Sequence, residues 1–210
     1  HPPAVIPVIV LNDLRHAVPM ARALAAGGIR MLEVTLRTPV ALACIEAIVR
    51  EVPDAVVGAG TVRSAADAQA AQFAGARFAV SPGYTHAVGQ ACHDLGLPLL
   101  PGVATGGEIM AAQEDGYTAL KFDPFGPAWR VMEDLDDFKL AIDIIAAVRA
   151  AVGPSVDVLV EGQRRQLPLA IAHCERPGDL LRDKAGPALP AGGGKRFHQL
   201  PAGIVRTAGI

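Results

Sequence analysis

Two charged residues stand inside apolar runs of this sequence: Glu33 within Leu32-Glu33-Val34-Thr35, and Lys121 within Leu120-Lys121-Phe122. Lysine and glutamate are rarely buried unless they are paired or at work. A partly desolvated lysine gives up its proton more readily and becomes an amine nucleophile toward carbonyls. A nearby carboxylate or water can then shuttle protons while a carbinolamine forms and dehydrates. The iminium ion that results is an electron sink, beside which a C–C bond can break or form. The plainer reading of the same residues is a snorkelling lysine and a salt-bridged glutamate at the rim of the fold. Arg37, close behind Thr35 and next to Thr38, has the planar fork that holds a carboxylate, or pairs with a rim carboxylate side chain. Gly58-Ala59-Gly60-Thr61, Ser81-Pro82-Gly83 and Pro101-Gly102 are small-residue turns. Such turns let the backbone approach a small ligand, or simply reverse the chain. His16, His86 and His93 have no metal-ligand spacing and read as surface or cap residues.

Elements that would position these residues alternate along the chain. Apolar runs at 5–10, 29–35, 55–58, 77–81, 98–100 and 117–122 predict six strands. Helical periodicity covers 13–26, 39–49, 65–73, 86–95 and 106–114 between them. Ser64 is placed to cap the helix at 65–73, with Asp67 completing a capping box. Helix-containing crossovers require a parallel sheet. Each strand ends at a small residue, a proline or a polar group, and the expected architecture is a (β/α)8 barrel with its site at the C-terminal strand ends. A doubly wound sheet is the alternative, weakened because no G-x-G-x-x-G follows the first strand. After an irregular stretch at 123–135, a helix at 136–151 and a seventh strand at 156–160 are expected. A helix at 166–174 is a further candidate, and 202–205 is the weak choice for an eighth strand. Some part of 177–210 must close the barrel.

The 210 residues, 51% apolar and 19% charged, suit a single domain over 1–210. A net charge of -2 implies no broad basic field, so nucleic acid is not an expected partner. No apolar run reaches about 18 residues, so no membrane span is expected. Cys44, Cys92 and Cys174 share no metal-ligand spacing, which predicts reduced thiols and a cytoplasmic location. The opening His1-Pro2-Pro3 lacks a methionine and reads as a tag remnant or the sign of a missing segment rather than as a signal peptide.

Taken in order, VIPVIV, GGIRMLEVTLRT, VGAGTV, FAVSPG, PLLPGVAT and LKFDPF resemble the 2-keto-3-deoxy-6-phosphogluconate and 4-hydroxy-2-oxoglutarate aldolase family over about residues 5–122. The resemblance implies a class I lyase on a barrel, a homotrimer without metal or cofactor, serving carbohydrate metabolism in the Entner–Doudoroff pathway. It implies cleavage of a small 2-keto acid to pyruvate and an aldehyde. By the same resemblance Lys121 is the Schiff-base residue and Glu33 the proton shuttle. Arg37, Thr61, Pro82 and Phe122 are implied as substrate contacts, and Glu33 is expected within hydrogen-bond reach of Lys121, directly or through one water. Residues 123–210 diverge. The family's Phe-Phe-Pro-Ala-Glu segment is replaced by Phe122-Asp123-Pro124-Phe125, and its phosphate-holding Thr-Gly-Gly and Gly-Gly-Ser turns have no convincing counterpart, though Gly192–Gly194 is glycine-rich. Residues 116–165, through GYTALKFDPFGPAW, DFKLAIDIIAAVRAAVGP and VDVLVEG, resemble a sugar-acid dehydratase of the enolase superfamily. That implies the alternative of a Mg²⁺-dependent dehydratase, with Glu161 as the acidic metal-site candidate. A catalytically weak barrel lacking the phosphate site is the remaining alternative.

Overall fold

A computed structural model describes residues 5–125, 135–162 and 206–209. Strands and helices alternate as β1 (Val5–Ile9), α1 (Ala17–Ala26), β2 (Met31–Thr35), α2 (Ala41–Glu51), β3 (Val56–Gly60) and α3 (Ala65–Phe73). They continue as β4 (Phe78–Val80), α4 (His86–Asp94), β5 (Leu99–Leu100), α5 (Gly106–Glu114), β6 (Ala119–Phe122), α6 (Leu135–Val152), β7 (Asp157–Gly162) and β8 (Arg206–Gly209). Every strand pairing is parallel, in the order β5-β4-β3-β2-β1-β8-β7-β6. The two ends of that order meet. Lys121 N–H donates to the Pro101 carbonyl at 2.9 Å, and Val103 N–H donates to the Lys121 carbonyl at 2.8 Å. The sheet therefore closes on itself, as the expected eight-stranded barrel does.

Side chains alternate along each strand and fill two separate cores. Ile6, Phe78, Val80, Leu100, Ala119 and Leu159 make one cluster, the plug inside the barrel. A larger cluster, including Leu32, Val34, Val57, Ala79, Leu120 and Val158, lies between strands and helices. Each of the larger aliphatic and aromatic side chains so buried contributes about 1.5–3 kcal/mol. The helices meet this outer core with small faces: Ala17 and Ala21 of α1, Ala68 and Ala71 of α3, and Ala112 of α5 are fully buried. Small residues let short helices sit close to the strands, which is how units of this length fold.

Three local expectations change. The helix expected from residue 13 begins as a 3-10 turn at Leu14–His16, because Asp13 caps it by accepting from Arg15 N–H at 2.9 Å. At α3, Ser64 does cap, accepting from Asp67 N–H at 3.1 Å, but the Asp67 carboxylate reaches Arg63 N–H instead of closing the box on Ser64. A full capping box occurs at α5, between Thr105 and Glu108. The eighth strand lies at Arg206–Gly209, just past the expected 202–205. Residues 202–205, the candidate helix at 166–174 and Gly192–Gly194 lie outside the described residues. Strand β8 is held between β1 and β7, from Val5↔Arg206 to Val8↔Gly209 and from Val160↔Arg206 to Gly162↔Ala208. Ladder pairing on both sides places a strand that its own apolar content does not announce.

Candidate active site

Glu33 lies midway along β2 and Lys121 near the C-terminal end of β6, both on the inward side of the barrel above the apolar plug. Glu33 is 2% exposed and Lys121 6%. Register explains Glu33's depth. It lies beside Gly58 of β3, with Thr35 beside Gly60. A Cβ added to Gly60 would fall well inside van der Waals contact of Glu33 Oε1. A missing side chain on one strand is thus the space that holds a carboxylate from the next. Gly102 plays a similar part by the lysine, since a Cβ there would strike the Ser81 carbonyl. Its absence lets the turn after β5 close onto both β4 and β6.

Lys121 Nζ donates to Glu161 Oε2, from the end of the adjacent strand β7. Lys121 pairs with Leu159 across the ladder, so Glu161, two residues on, projects to the same inner side. Glu33, by contrast, has one carboxylate oxygen, Oε2, that is buried without a hydrogen-bond partner. Of the contact expected between Glu33 and Lys121, directly or through one water, no direct hydrogen bond is made among the described residues: the lysine's hydrogen-bond partner is Glu161. Glu33 acts on the lysine through space. Its carboxyl is raised to about 7 overall: burial pushes it up most, the charge of Lys121 pulls it down, Glu161 pushes it up and Arg37 pulls it down. Asp123, just beyond β6, is likewise raised, first by its own burial.

A cavity of about 460 Å³ opens at this end of the barrel, lined in part by Pro82, Gly102, Lys121, Phe122, Asp123 and Glu161. Pro82 and Lys121 thus share one space. Phe122, although it borders the cavity, belongs to the outer core, because strand alternation turns it away from the side on which Lys121 projects. Arg37 and Thr61 form a second group at the rim, where Arg37 Nε donates to Thr61 Oγ1 at 3.1 Å. Thr61 has φ 61°, a left-handed backbone that a β-branched residue rarely adopts. Such strain is held in place by its surroundings. Here Leu36 N–H donates to the Gly60 carbonyl at 2.8 Å and Val62 N–H to the Val80 carbonyl at 3.1 Å, clamping the turn from both sides. Arg37 itself is exposed.

Glu161 is the residue whose role the sequence pattern did not convey. It was visible as an acidic end to an apolar strand, but its pairing to Lys121 depends on the register that α6 sets between β6 and β7. Among the described residues no group of three His, Cys, Asp or Glu side chains is arranged to hold a metal. Glu161, the acidic candidate for a magnesium site, is engaged by the lysine. No helix of the described residues is long and apolar enough to cross a membrane.

Comparison with known proteins bears on this arrangement. The family description "Aldolase: KDPG and KHG aldolase" matches residues 2–132, more than half of the chain. A 2-dehydro-3-deoxy-phosphogluconate aldolase of Pseudoalteromonas atlantica is 52% identical over 120 residues, which is 57% of this chain and 56% of that protein. A KHG/KDPG aldolase of Escherichia coli is 50% identical over 120 residues, with the same two shares. The chain thus spans little more than half the length of these relatives. The structure of a KDPG aldolase from Legionella pneumophila, with pyruvate captured as a covalent carbinolamine intermediate, superposes with a TM-score of 0.67 at 37% identity, covering 80% of this chain and 77% of that one. Strand order, barrel closure and sequence likeness agree, and the chain belongs to the KDPG and KHG aldolase family.

Proposed function

We propose that this chain is a class I aldolase that cleaves 2-keto-3-deoxy-6-phosphogluconate or 4-hydroxy-2-oxoglutarate to pyruvate and an aldehyde. The observation that carries the reading is a buried lysine at the C-terminal mouth of a barrel, flanked by two carboxylates and open to a cavity. Family membership supports it. Lys121 Nζ attacks the C2 carbonyl of the substrate and gives a carbinolamine, which loses water to become an iminium ion. The C4 hydroxyl then gives up its proton, the C3–C4 electron pair flows into the iminium, and the aldehyde departs. The enamine left behind is protonated at C3 and hydrolysed to pyruvate and free lysine. Glu33, held near neutral pH by burial, carries protons between these steps. Arg37 receives the substrate carboxylate, and Thr61 fixes the arginine. Pro82 and the outer-facing Phe122 shape the wall beside the lysine. In this reading the protein is a cytoplasmic homotrimer that uses no cofactor.

Incubation with pyruvate and borohydride, followed by peptide mass analysis, tests the proposal. A reduced pyruvyl adduct on Lys121 is expected, with none in Lys121→Arg, whose guanidinium stays charged and is not a nucleophile. An adduct on another lysine, or none in a preparation that cleaves substrate, overturns it. Light scattering at micromolar concentration tests the trimer separately, and a monomer there ends that part.

A further inference from the structure

Glu161 touches the atom that is to react. Its carboxylate accepts from Lys121 Nζ and borders the same cavity, whereas Glu33 lies deeper, with one oxygen that meets no donor. We infer that Glu161 is a second catalytic carboxylate, the acceptor that takes the ammonium proton of Lys121 and releases the free amine, while Glu33 donates the proton that expels water. This inference rests on the Schiff-base reading above.

The surroundings of Glu161 suit that division. The described charged groups around it are Lys121 on β6, Glu33 on β2 and Asp123 beyond β6, with Arg37 acting on Glu33 from the rim. On the helix side the cavity wall is apolar, made by Ile109 of α5 with Ile144 and Val148 of α6. A carboxylate that accepts a hydrogen bond from the lysine nitrogen is placed to take its proton. A carboxyl raised to about 7, mainly by burial, still carries its proton on part of the molecules near neutral pH and can donate it. Contact with the reacting nitrogen on one side, and burial without that contact on the other, divide acceptor from donor between the two carboxyl groups.

The step balances. The Lys121 ammonium passes one proton to Glu161, and the amine forms its bond to C2 while the carbonyl π bond breaks. The second nitrogen proton goes to the new oxygen. Glu33 delivers its proton to that hydroxyl, the C–O bond breaks, water leaves, and the iminium retains the third nitrogen proton. Glu161 ends protonated and Glu33 ionised, so the total charge is unchanged.

The experiment is rapid quenching of pyruvate adducts with borohydride, read by intact mass, on the full chain and on Glu161→Gln and Glu161→Asp. Adduct formation in Glu161→Gln should slow by about 100-fold or more at pH 7, the usual worth of a positioned proton acceptor. Glu161→Asp, which keeps the charge on a shorter stem, should fall between the two. The ratio of wild-type to Glu161→Gln rates should shrink by up to about tenfold per pH unit above 7, as hydroxide takes over as acceptor. A ratio that stays constant with pH marks a structural role and overturns the inference, as does Glu161→Gln at the wild-type rate. Should Glu161→Gln not fold, Glu161→Asp at the wild-type rate with an unchanged pH profile overturns it equally. Adduct on Lys121 in the wild type with these outcomes defeats the Glu161 assignment alone. No adduct in the wild type defeats the Schiff-base reading and this inference together.

Discussion

Glu33 and Glu161 approach the same lysine from different walls of the barrel. Glu33 comes from β2, across the barrel from β6, into a space left by Gly60, and one of its oxygens meets no donor. Glu161 comes from β7, next to β6, and shares a hydrogen bond with the ammonium group. One carboxyl is defined by what is missing around it and the other by its partner. Residue type therefore says little about a carboxyl's surroundings here; the neighbouring strand decides them. An identical substitution at the two positions should act with opposite sign on stability.

The largest effect is expected at Glu161. Glu161→Gln leaves the Lys121 ammonium buried without a counter-charge. Breaking such a pair costs about 3 kcal/mol or somewhat more, toward the low end of the buried range because Glu161 keeps some exposure. Urea unfolding at pH 7 measures this, and a loss under about 1 kcal/mol would show that solvent already carries the charge.

Glu33→Gln should do the reverse. The folded protein holds the Glu33 proton up to a pH of about 7, whereas the ordinary carboxyl value is 4.5. Between those values the folded state binds more protons than the unfolded one, so stability is full below 4.5 and falls as pH rises through 7. Removing the titrating group should flatten that fall and raise stability at pH 8 by up to about 3 kcal/mol. Near pH 4 the variant and wild type should be alike. Unfolding free energies at the two pH values decide the matter, and parallel pH curves would refute it.

Gly60→Ala sharpens the contrast on the β2–β3 side. The new methyl overpacks the Glu33 carboxyl and should cost about 1–3 kcal/mol. In a Glu33→Ala background most of that cost should vanish, a coupling that a double-mutant cycle reads directly. Thr61→Gly should be the mildest. Glycine relieves the left-handed strain at φ 61° and returns a similar amount as unfolded-chain entropy, so stability should change by less than about 0.5 kcal/mol. Its expected signature is a raised KM, because Arg37 loses its hydroxyl partner. An unchanged KM would remove Thr61 from the substrate-holding group.

Apolar strands bounded by small-residue turns made β1 to β7 legible, because a barrel strand buried on both faces is continuously apolar. Glu33 and Lys121 were legible for the same reason, as charges interrupting such runs. The lysine's partner was not. The pairing of Lys121 to Glu161 spans 40 residues and follows from the register across α6. The alternation Asp157, Leu159, Glu161 did carry the signal, since Leu159 fills the barrel plug and Glu161 follows it on the same side. β8 escaped for a different reason. Arg206-Thr207-Ala208-Gly209 has little apolar content, and two neighbouring strands supply its ladder. Phe122 shows what a motif leaves unsaid: adjacent residues of one strand face opposite ways, so the neighbour of Lys121 joins the outer core while still bordering the cavity.

The place of β8 between β1 and β7 sets a schedule for synthesis. Val5 pairs with Arg206, so β1 waits for β8, about 200 residues later, before its second ladder can form. At ribosomal speeds of roughly 5–20 residues per second, that wait lasts roughly 10–40 s. The sheet β1–β5 can assemble on the nascent chain during that time, but Lys121 and Glu161 arrive later, and the ring shuts only once β8 has been made. Lys121 is therefore walled in only once β8 is in place, and a ribosome stalled before β8 would present an open sheet to the cell's chaperones.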